Sequence, residues 1–118
     1  MDEQDLIYDW NEIDYEIKRD ESEHPHELWF DDETLRDGLQ SPSARNPTIE
    51  QKIELVDFME SLGIQKVDLG LPGAGPFHIG HIDAMLSHMG ENEYALRPGC
   101  AVRTVVSDIE PLVDLQAK

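Results

Sequence analysis

Residues 33–40 hold the strongest candidates for chemistry in this sequence. They read Glu-Thr-Leu-Arg-Asp-Gly-Leu-Gln, so that Arg36 is followed directly by Asp37. Hard divalent cations prefer carboxylate oxygens as ligands, and a guanidinium can stabilise an oxyanion that develops beside such a cation. The adjacent pair therefore predicts a site for metal-assisted chemistry on an anionic substrate. In the simpler alternative, both side chains belong to an exposed loop, where they stabilise a turn and contact water.

The sequence around this segment alternates short strands with amphipathic helices, a pattern typical of parallel α/β folds. We predict strands over residues 28–32, 66–71 and 100–105, with helices over 48–62, 77–89 and from 107 onward. In a parallel barrel the loops that follow the carboxyl ends of the strands form the active face. Arg36 and Asp37 follow the first strand, and this position favours a catalytic role for them.

The first helix has the clearest predicted boundaries. Thr48 and Gln51 have the spacing of a capping box, and Gly63 stands where a left-handed stop is needed. Between them, one apolar stripe at helical spacing is predicted to face the core: Ile49, Ile53, Val56, Met59 and Leu62.

The second and third helices are delimited by similar signals. Gly90 is predicted to end the second helix. Ser107 with Glu110 is predicted to cap the third, which leaves Pro111 in its first turn, where a missing amide hydrogen is tolerated. Three units would leave the third strand as an unpaired edge. We therefore predict a parallel α/β fold that residues 28–118 do not complete. The resemblance described below implies that they form the first three strand-helix units of an incomplete (β/α)8 TIM barrel.

The charge of the chain limits its partners. Twenty-six acidic and nine basic residues give a formal charge of −17, and eleven of the acids fall in residues 1–27, which we predict to be an acidic extension. Such a charge repels phosphate backbones, which argues against nucleic-acid binding. An anionic substrate would need a site with a local positive potential, supplied by an arginine or by a bound cation. With no long apolar run, no secretory signal and one cysteine, we predict a cytoplasmic protein without a membrane segment.

The stretch from Thr34 to Gly38, followed by Gln40, is similar to the signature of the DRE-TIM metallolyase superfamily. This superfamily includes 2-isopropylmalate, homocitrate and citramalate synthases and hydroxymethylglutaryl-CoA lyase. The likeness extends over about residues 28–118, through residues 51–53, 63–64, 68–72 and 103–109. It implies, for the full-length protein, a homo-oligomeric acyltransferase of amino-acid biosynthesis that uses a divalent cation (Mg, Mn or Zn) to condense acetyl-CoA with a 2-oxo acid.

Carried over by position, the resemblance implies a role for each matching residue. Asp37 would be a metal ligand, and Arg36 would steady the enolate or the reacting carbonyl. Gln40 and Arg103 would contact the substrate. The family presents a glutamate on its second strand where this chain has Asp68, which is shorter by one carbon-carbon bond of about 1.5 Å. The implied role of Asp68 is a catalytic hydrogen bond to Arg36 or to the substrate.

Two departures leave alternatives open. Synthases of this superfamily have an acidic residue where Leu39 stands, and Arg-Asp-Gly-Leu-Gln resembles the lyase branch instead, although Thr34 and Leu35 resemble the synthases. The family completes its metal site with a His-x-His pair from a late strand, and nothing so placed exists here, since His24 and His26 lie in the acidic linker before the first predicted strand. We therefore expect the 118-residue chain alone to be inactive. The alternatives are a hydroxymethylglutaryl-CoA lyase-like enzyme and a non-catalytic barrel remnant that serves as an interaction module.

Histidine and cysteine residues give weaker signals. His78 and His81 are three positions apart on the second predicted helix, with His88 further along, and a polar helix face is favoured over a zinc site. Cys100 has no histidine nearby in a motif position, and we predict that it packs in the core.

Overall fold

The computed structural model describes residues 28–116 of the chain. One parallel sheet has the strand order β1-β2-β3, and a helix follows each strand. The strands are β1 (Asp31–Asp32), β2 (Lys66–Asp68) and β3 (Arg97–Gly99), and the helices are α1 (Ile49–Leu62), α2 (Pro76–Glu91) and α3 (Val106–Gln116). The predicted α/β class is confirmed. The acidic extension predicted over residues 1–27 lies outside the described residues.

The predicted position of the third strand, residues 100–105, was wrong. The strand lies earlier, at Arg97–Gly99. In the observed register Val67 of β2 pairs with Pro98 of β3. Pro98 and Gly99 are unusual in a strand, but β3 is at the edge of the sheet, where the missing amide hydrogen of proline is tolerated. Pairing continues to Ala101, whose N–H donates to the Gly70 carbonyl at 3.1 Å. Gly70 has a φ of 135°, and β2 ends before it, three residues short of the predicted end at residue 71.

Helix α1 begins and ends as the sequence predicts. The Thr48 hydroxyl accepts the Gln51 N–H, the Gln51 side chain accepts the Thr48 N–H, and Gly63 has a left-handed φ of 74°. Val56 and Met59 are buried, but the prediction for Leu62 was wrong, since it is 78% exposed.

Helices α2 and α3 have different ends from those predicted. Gly90 does not stop α2, which continues to Glu91. Its last carbonyls are satisfied by Asn92, whose side-chain amide donates to the His88 carbonyl at 2.8 Å. Ser107 lies inside α3, because the helix begins at Val106. Pro111 is therefore in the helix interior, where it removes one backbone hydrogen bond and its ring crowds the carbonyl four residues earlier.

The core lies between the sheet and the helices. It is formed by Leu35, Val56, Met59, Val67, Leu69, Ile82, Met85, Met89, Leu96 and Leu115. Because Val67 and Leu69 of the second unit point into this layer, Asp68 between them points to the other face of the sheet. No helix in residues 28–116 has both the length and the apolar character needed to cross a membrane.

Candidate functional site

Arg36 and Asp68 meet where the parallel strands end, at what we call the carboxyl edge of the sheet. Arg36 Nε lies 3.3 Å from Asp68 Oδ2. The other carboxylate oxygen, Asp68 Oδ1, accepts the Gly70 N–H at 3.0 Å. Asp68 is thus held on both oxygens and fixes the direction of the guanidinium. The two side chains are hydrogen-bonded although that of aspartate is one carbon-carbon bond shorter than that of glutamate.

Two further carboxylates surround the Arg36 guanidinium. Its Nη1 lies 3.3 Å from Asp37 Oδ1, and its Nη2 pairs with the Glu33 carboxylate. The Glu33 carbonyl accepts the backbone N–H groups of Arg36 and Gly38, both at 3.1 Å, which folds residues 33–38 into a tight turn. Three carboxylates around one guanidinium leave the carboxyl edge with a net negative charge, an environment that suits a cation.

Asp37 is the residue from which a metal site would be built. Its side chain is 71% exposed at the carboxyl edge, so one carboxylate is accessible there. Within residues 28–116, however, no three His, Cys, Asp or Glu side chains come together to hold a metal ion. Hard divalent cations take about six oxygen ligands. The described residues therefore do not form a metal site by themselves, and the role of Asp37 as a ligand stays a prediction.

A cavity of about 230 Å³ lies beside Arg36, between the start of α1, the start of α2 and the carboxyl edge. Its walls include Leu35 and Leu69, and its polar side chains are Arg36, Gln40, Asn46, Lys52, His78 and His81. Gln40, predicted to contact substrate, is therefore in the same cavity as Arg36. A larger cavity of about 790 Å³ lies between α2, β3 and α3, but none of the described residues that line it is cationic.

Lys52 is a site candidate that the sequence pattern did not single out, and it lines the cavity together with His81, for which a polar helix face was predicted. Lys52 is only 4% exposed, and burial lowers the pKa of its ammonium. Burial also lowers the pKa of His81, as do the charges of Lys52 and His78 to a smaller extent. Lys52 follows Ile49 by three positions and precedes Val56 by four, so it shares the core-facing side of α1. This spacing was the signal that could have identified it.

Arg103 is not brought to the cavity. It lies between β3 and α3, and its guanidinium pairs with Asp108 of α3 through two contacts, Nε–Oδ2 at 2.8 Å and Nη2–Oδ1 at 3.0 Å. This hydrogen-bonded pair holds the pKa of Asp108 below its usual range. Gly73 lies against the Asp108 carboxylate so closely that a Cβ there would be 2.5 Å from Cγ. The predicted contact of Arg103 with substrate stays a prediction.

The three histidines of α2 separate into two groups. His78 and His81 line the cavity, whereas His88 lies near the other end of the helix, with its Nε2 2.7 Å from Asp57 Oδ1.

Cys100 is partly buried against the core, and burial together with the charge of Asp68 raises the pKa of its thiol to about 11. A thiol that is protonated at neutral pH is a poor nucleophile, which fits the packing role predicted for it.

The chain is similar in sequence to known proteins over most of its length. The HMGL-like family profile matches residues 27–118. Homocitrate synthase AksA of Methanopyrus kandleri is 34% identical over 96 residues, which are 80% of this chain and 22% of the relative. The 2-isopropylmalate synthase of Sediminispirochaeta smaragdinae is 29% identical over 90 residues, 76% of this chain and 18% of the relative. The chain thus spans about a fifth of the length of these curated relatives. No solved structure matches it.

Proposed function

The chain belongs to the HMGL-like family, and from this premise we propose that it is part of a synthase-like acyltransferase that joins acetyl-CoA to a 2-oxo acid. The similarity to synthases named for homocitrate and 2-isopropylmalate supports an enzyme of the DRE-TIM superfamily. The parallel sheet of three strands, each followed by a helix, supports a place for residues 28–116 in a TIM barrel.

The observation that carries the proposal is the position of Arg36 at the carboxyl edge, held there by Asp68 and Asp37. In the proposed reaction, a base removes a proton from the acetyl methyl group and negative charge develops on the thioester oxygen. A guanidinium that is already oriented stabilises this oxygen without reorganising during the reaction. Arg36 is therefore proposed as the oxyanion-stabilising catalytic residue, and Asp68 as the residue that positions it.

Besides acetyl-CoA and the 2-oxo acid, the proposed reaction consumes only water. The enolate carbon forms a bond to the keto carbon of the 2-oxo acid, and the keto oxygen takes a proton. Water then cleaves the thioester, which releases the coenzyme thiol and a new carboxylate. The proton-abstracting base does not belong to the residues proposed here. A divalent cation, when bound, would polarise the keto group, and Asp37 is proposed as one of its ligands. No step assigned to Arg36 or Asp68 depends on that ion.

The test is an assay of the complete gene product that contains this chain. It is supplied with acetyl-CoA, a divalent cation and each of several 2-oxo acids, and release of the coenzyme thiol is followed. We expect thiol release that depends on the 2-oxo acid. The lyase alternative predicts acetyl-CoA production from hydroxymethylglutaryl-CoA instead. A protein that releases no thiol and cleaves no thioester under these conditions would contradict the proposed function and favour a non-catalytic module.

A further inference from the structure

Asp108 is a buried carboxylate in the first turn of α3, and Arg103 satisfies it. Asp108 is 6% exposed. It accepts three hydrogen bonds from Arg103: from Nε at 2.8 Å, from Nη2 at 3.0 Å and from the backbone N–H at 3.4 Å. A buried carboxylate is costly unless an opposite charge and hydrogen bonds compensate it. Arg103 provides both, although its own side chain is 76% exposed.

The Asp108 carboxylate also packs against the turn that follows β2. This turn is a short 3-10 helix at Pro72–Ala74. An added Cβ on Gly73 would lie 2.5–2.7 Å from three atoms of the Asp108 side chain, closer than real Cβ atoms approach other atoms. Gly73 is not among the glycines with positive φ in residues 28–116. The close approach of the carboxylate, and not a left-handed backbone, is therefore what requires glycine here.

The turn held by Asp108 continues directly from the segment that fixes Asp68. The Gly70 N–H donates to Asp68 Oδ1 at 3.0 Å, and the Gly70 carbonyl accepts an N–H from the chain after β3 at 3.1 Å. The segment from Gly70 to Gly73 is thus held at its start by the third unit's backbone and at its end by Asp108. Asp68 in turn lies 3.3 Å from the Arg36 guanidinium. A movement of Gly73 is therefore expected to change the orientation of Arg36.

We propose that Arg103 and Asp108 are positioning residues, which hold the turn after β2 and through it Arg36, and that Arg103 does not contact the substrate. This assignment deepens the proposed function and rests on it. Two nitrogens of the Arg103 guanidinium already donate to Asp108, and Arg103 is not among the described residues that line the cavity beside Arg36. A misplacement of about 1 Å at the reacting groups can cost about a hundredfold in rate, so residues that only fix the backbone can affect turnover.

Arg103→Ala in the complete gene product tests the role of Arg103. We expect kcat for the condensation to fall by about ten- to a hundredfold, because the turn after β2 loses its anchor, while KM for the 2-oxo acid stays unchanged. An arginine that binds the substrate carboxylate would instead raise KM when it is removed. Arg45→Ala is the matched control: it removes the same side chain from an exposed loop and should change neither constant. A raised KM or an unchanged kcat in Arg103→Ala would overturn the proposal.

Asp108→Ala shows whether Arg103 acts through Asp108. If it does, the double variant Arg103→Ala/Asp108→Ala should have the kcat of Asp108→Ala alone, since the second change removes a contact that is already lost. Residues that act separately would give two losses in kcat that multiply. Losses that multiply would therefore contradict the proposed route from Arg103 to the turn.

Gly73→Ala tests the contact between Asp108 and the turn without an activity measurement. In the wild-type background the new methyl group displaces the carboxylate, and we expect the urea midpoint to fall. In the Asp108→Ala background the carboxylate is absent, so the same change at Gly73 should shift the midpoint little. Equal shifts in the two backgrounds would exclude Asp108 as the anchor of the turn. Because unfolding requires no substrate, this result is separate from failure of the condensation assay.

Discussion

Arg36 Nε lies 3.3 Å from Asp68 Oδ2, and this contact joins the loop after β1 to the end of β2. The two residues are 32 positions apart in the chain. Parallel pairing of β1 with β2 brings them to one edge. The contact thus depends on the sheet, and the orientation of Arg36 depends on the contact.

Removal of the Arg36 guanidinium is predicted to lower turnover more than substrate binding. Arg36→Ala should lower kcat by about 10²- to 10³-fold, the effect of losing one preorganised oxyanion donor. KM for the 2-oxo acid should change less. Steady-state kinetics of the complete gene product measures both constants. A KM effect larger than the kcat effect would show that Arg36 acts mainly in binding.

Asp68 is predicted to act through Arg36. Asp68→Asn removes the charged acceptor, and we expect kcat/KM to fall by roughly ten- to a hundredfold, mostly through kcat. Asp68→Glu restores a carboxylate and should recover most of the loss. If both variants are equally impaired, or if only KM changes, Asp68 does not position Arg36 for catalysis.

Asp37 is predicted to bind the divalent cation. Asp37→Asn should weaken Mn²⁺ binding to the complete gene product by about a hundredfold or more, since even changes in the outer shell of a metal site cost 10- to 100-fold. Little effect on Tm is expected, because the side chain is exposed. Glu33→Gln is the control: it removes the same charge from the same guanidinium. Equal metal affinity in the two variants would refute the assignment of Asp37.

Gly73→Ala is predicted to destabilise the protein. The new Cβ would lie 2.5–2.7 Å from the Asp108 carboxylate, which Arg103 holds in place, so that ion pair must move. Overpacking of this kind costs about 1–3 kcal/mol. Gly90→Ala, inside α2 with no atom within 4 Å of its Cβ, should instead be stabilising by about 0.5–1 kcal/mol. Urea unfolding of both variants measures the difference, and equal effects would argue against the close contact.

Tyr94 is predicted to make stability sensitive to alkaline pH. Its hydroxyl donates to Asp57 Oδ1, and this bond raises the pKa of the phenol from 10.0 to about 12. Because the folded pKa is the higher one, the stabilisation is fully present below pH 10 and is lost as pH rises toward 12. Tyr94→Phe should therefore be less stable than wild type at pH 8 and nearly equal to it above pH 12. Urea midpoints at several pH values measure this difference.

The comparison with Tyr94→Phe isolates one phenol, because Tyr8 and Tyr15 are present in both proteins. The same hydrogen bond lowers the pKa of Asp57 below its usual 3.8. That contribution is present above pH 3.8 and is lost as pH falls through the lower folded pKa. A constant stability difference from pH 8 to pH 12 would contradict the assigned hydrogen bond.

The sequence by itself determined the features that depend on neighbouring residues. The capping box of Thr48 and Gln51 and the left-handed Gly63 set the ends of α1, because these signals act through local backbone hydrogen bonds and dihedral angles. The motif around Arg36 and Asp37 indicated the family, and its position after the first strand predicted a site at the carboxyl edge of the sheet.

Only the tertiary structure decided which distant residues share a surface. Register with β2 moved the third strand to residues that include Pro98, and Arg103 turned to Asp108 instead of the cavity. Lys52 became a candidate only when α1 packed beside α2, since the burial of a side chain is a property of its surroundings. Pairing and burial are decided by contacts between segments far apart in the chain, and a pattern read along one segment does not contain them.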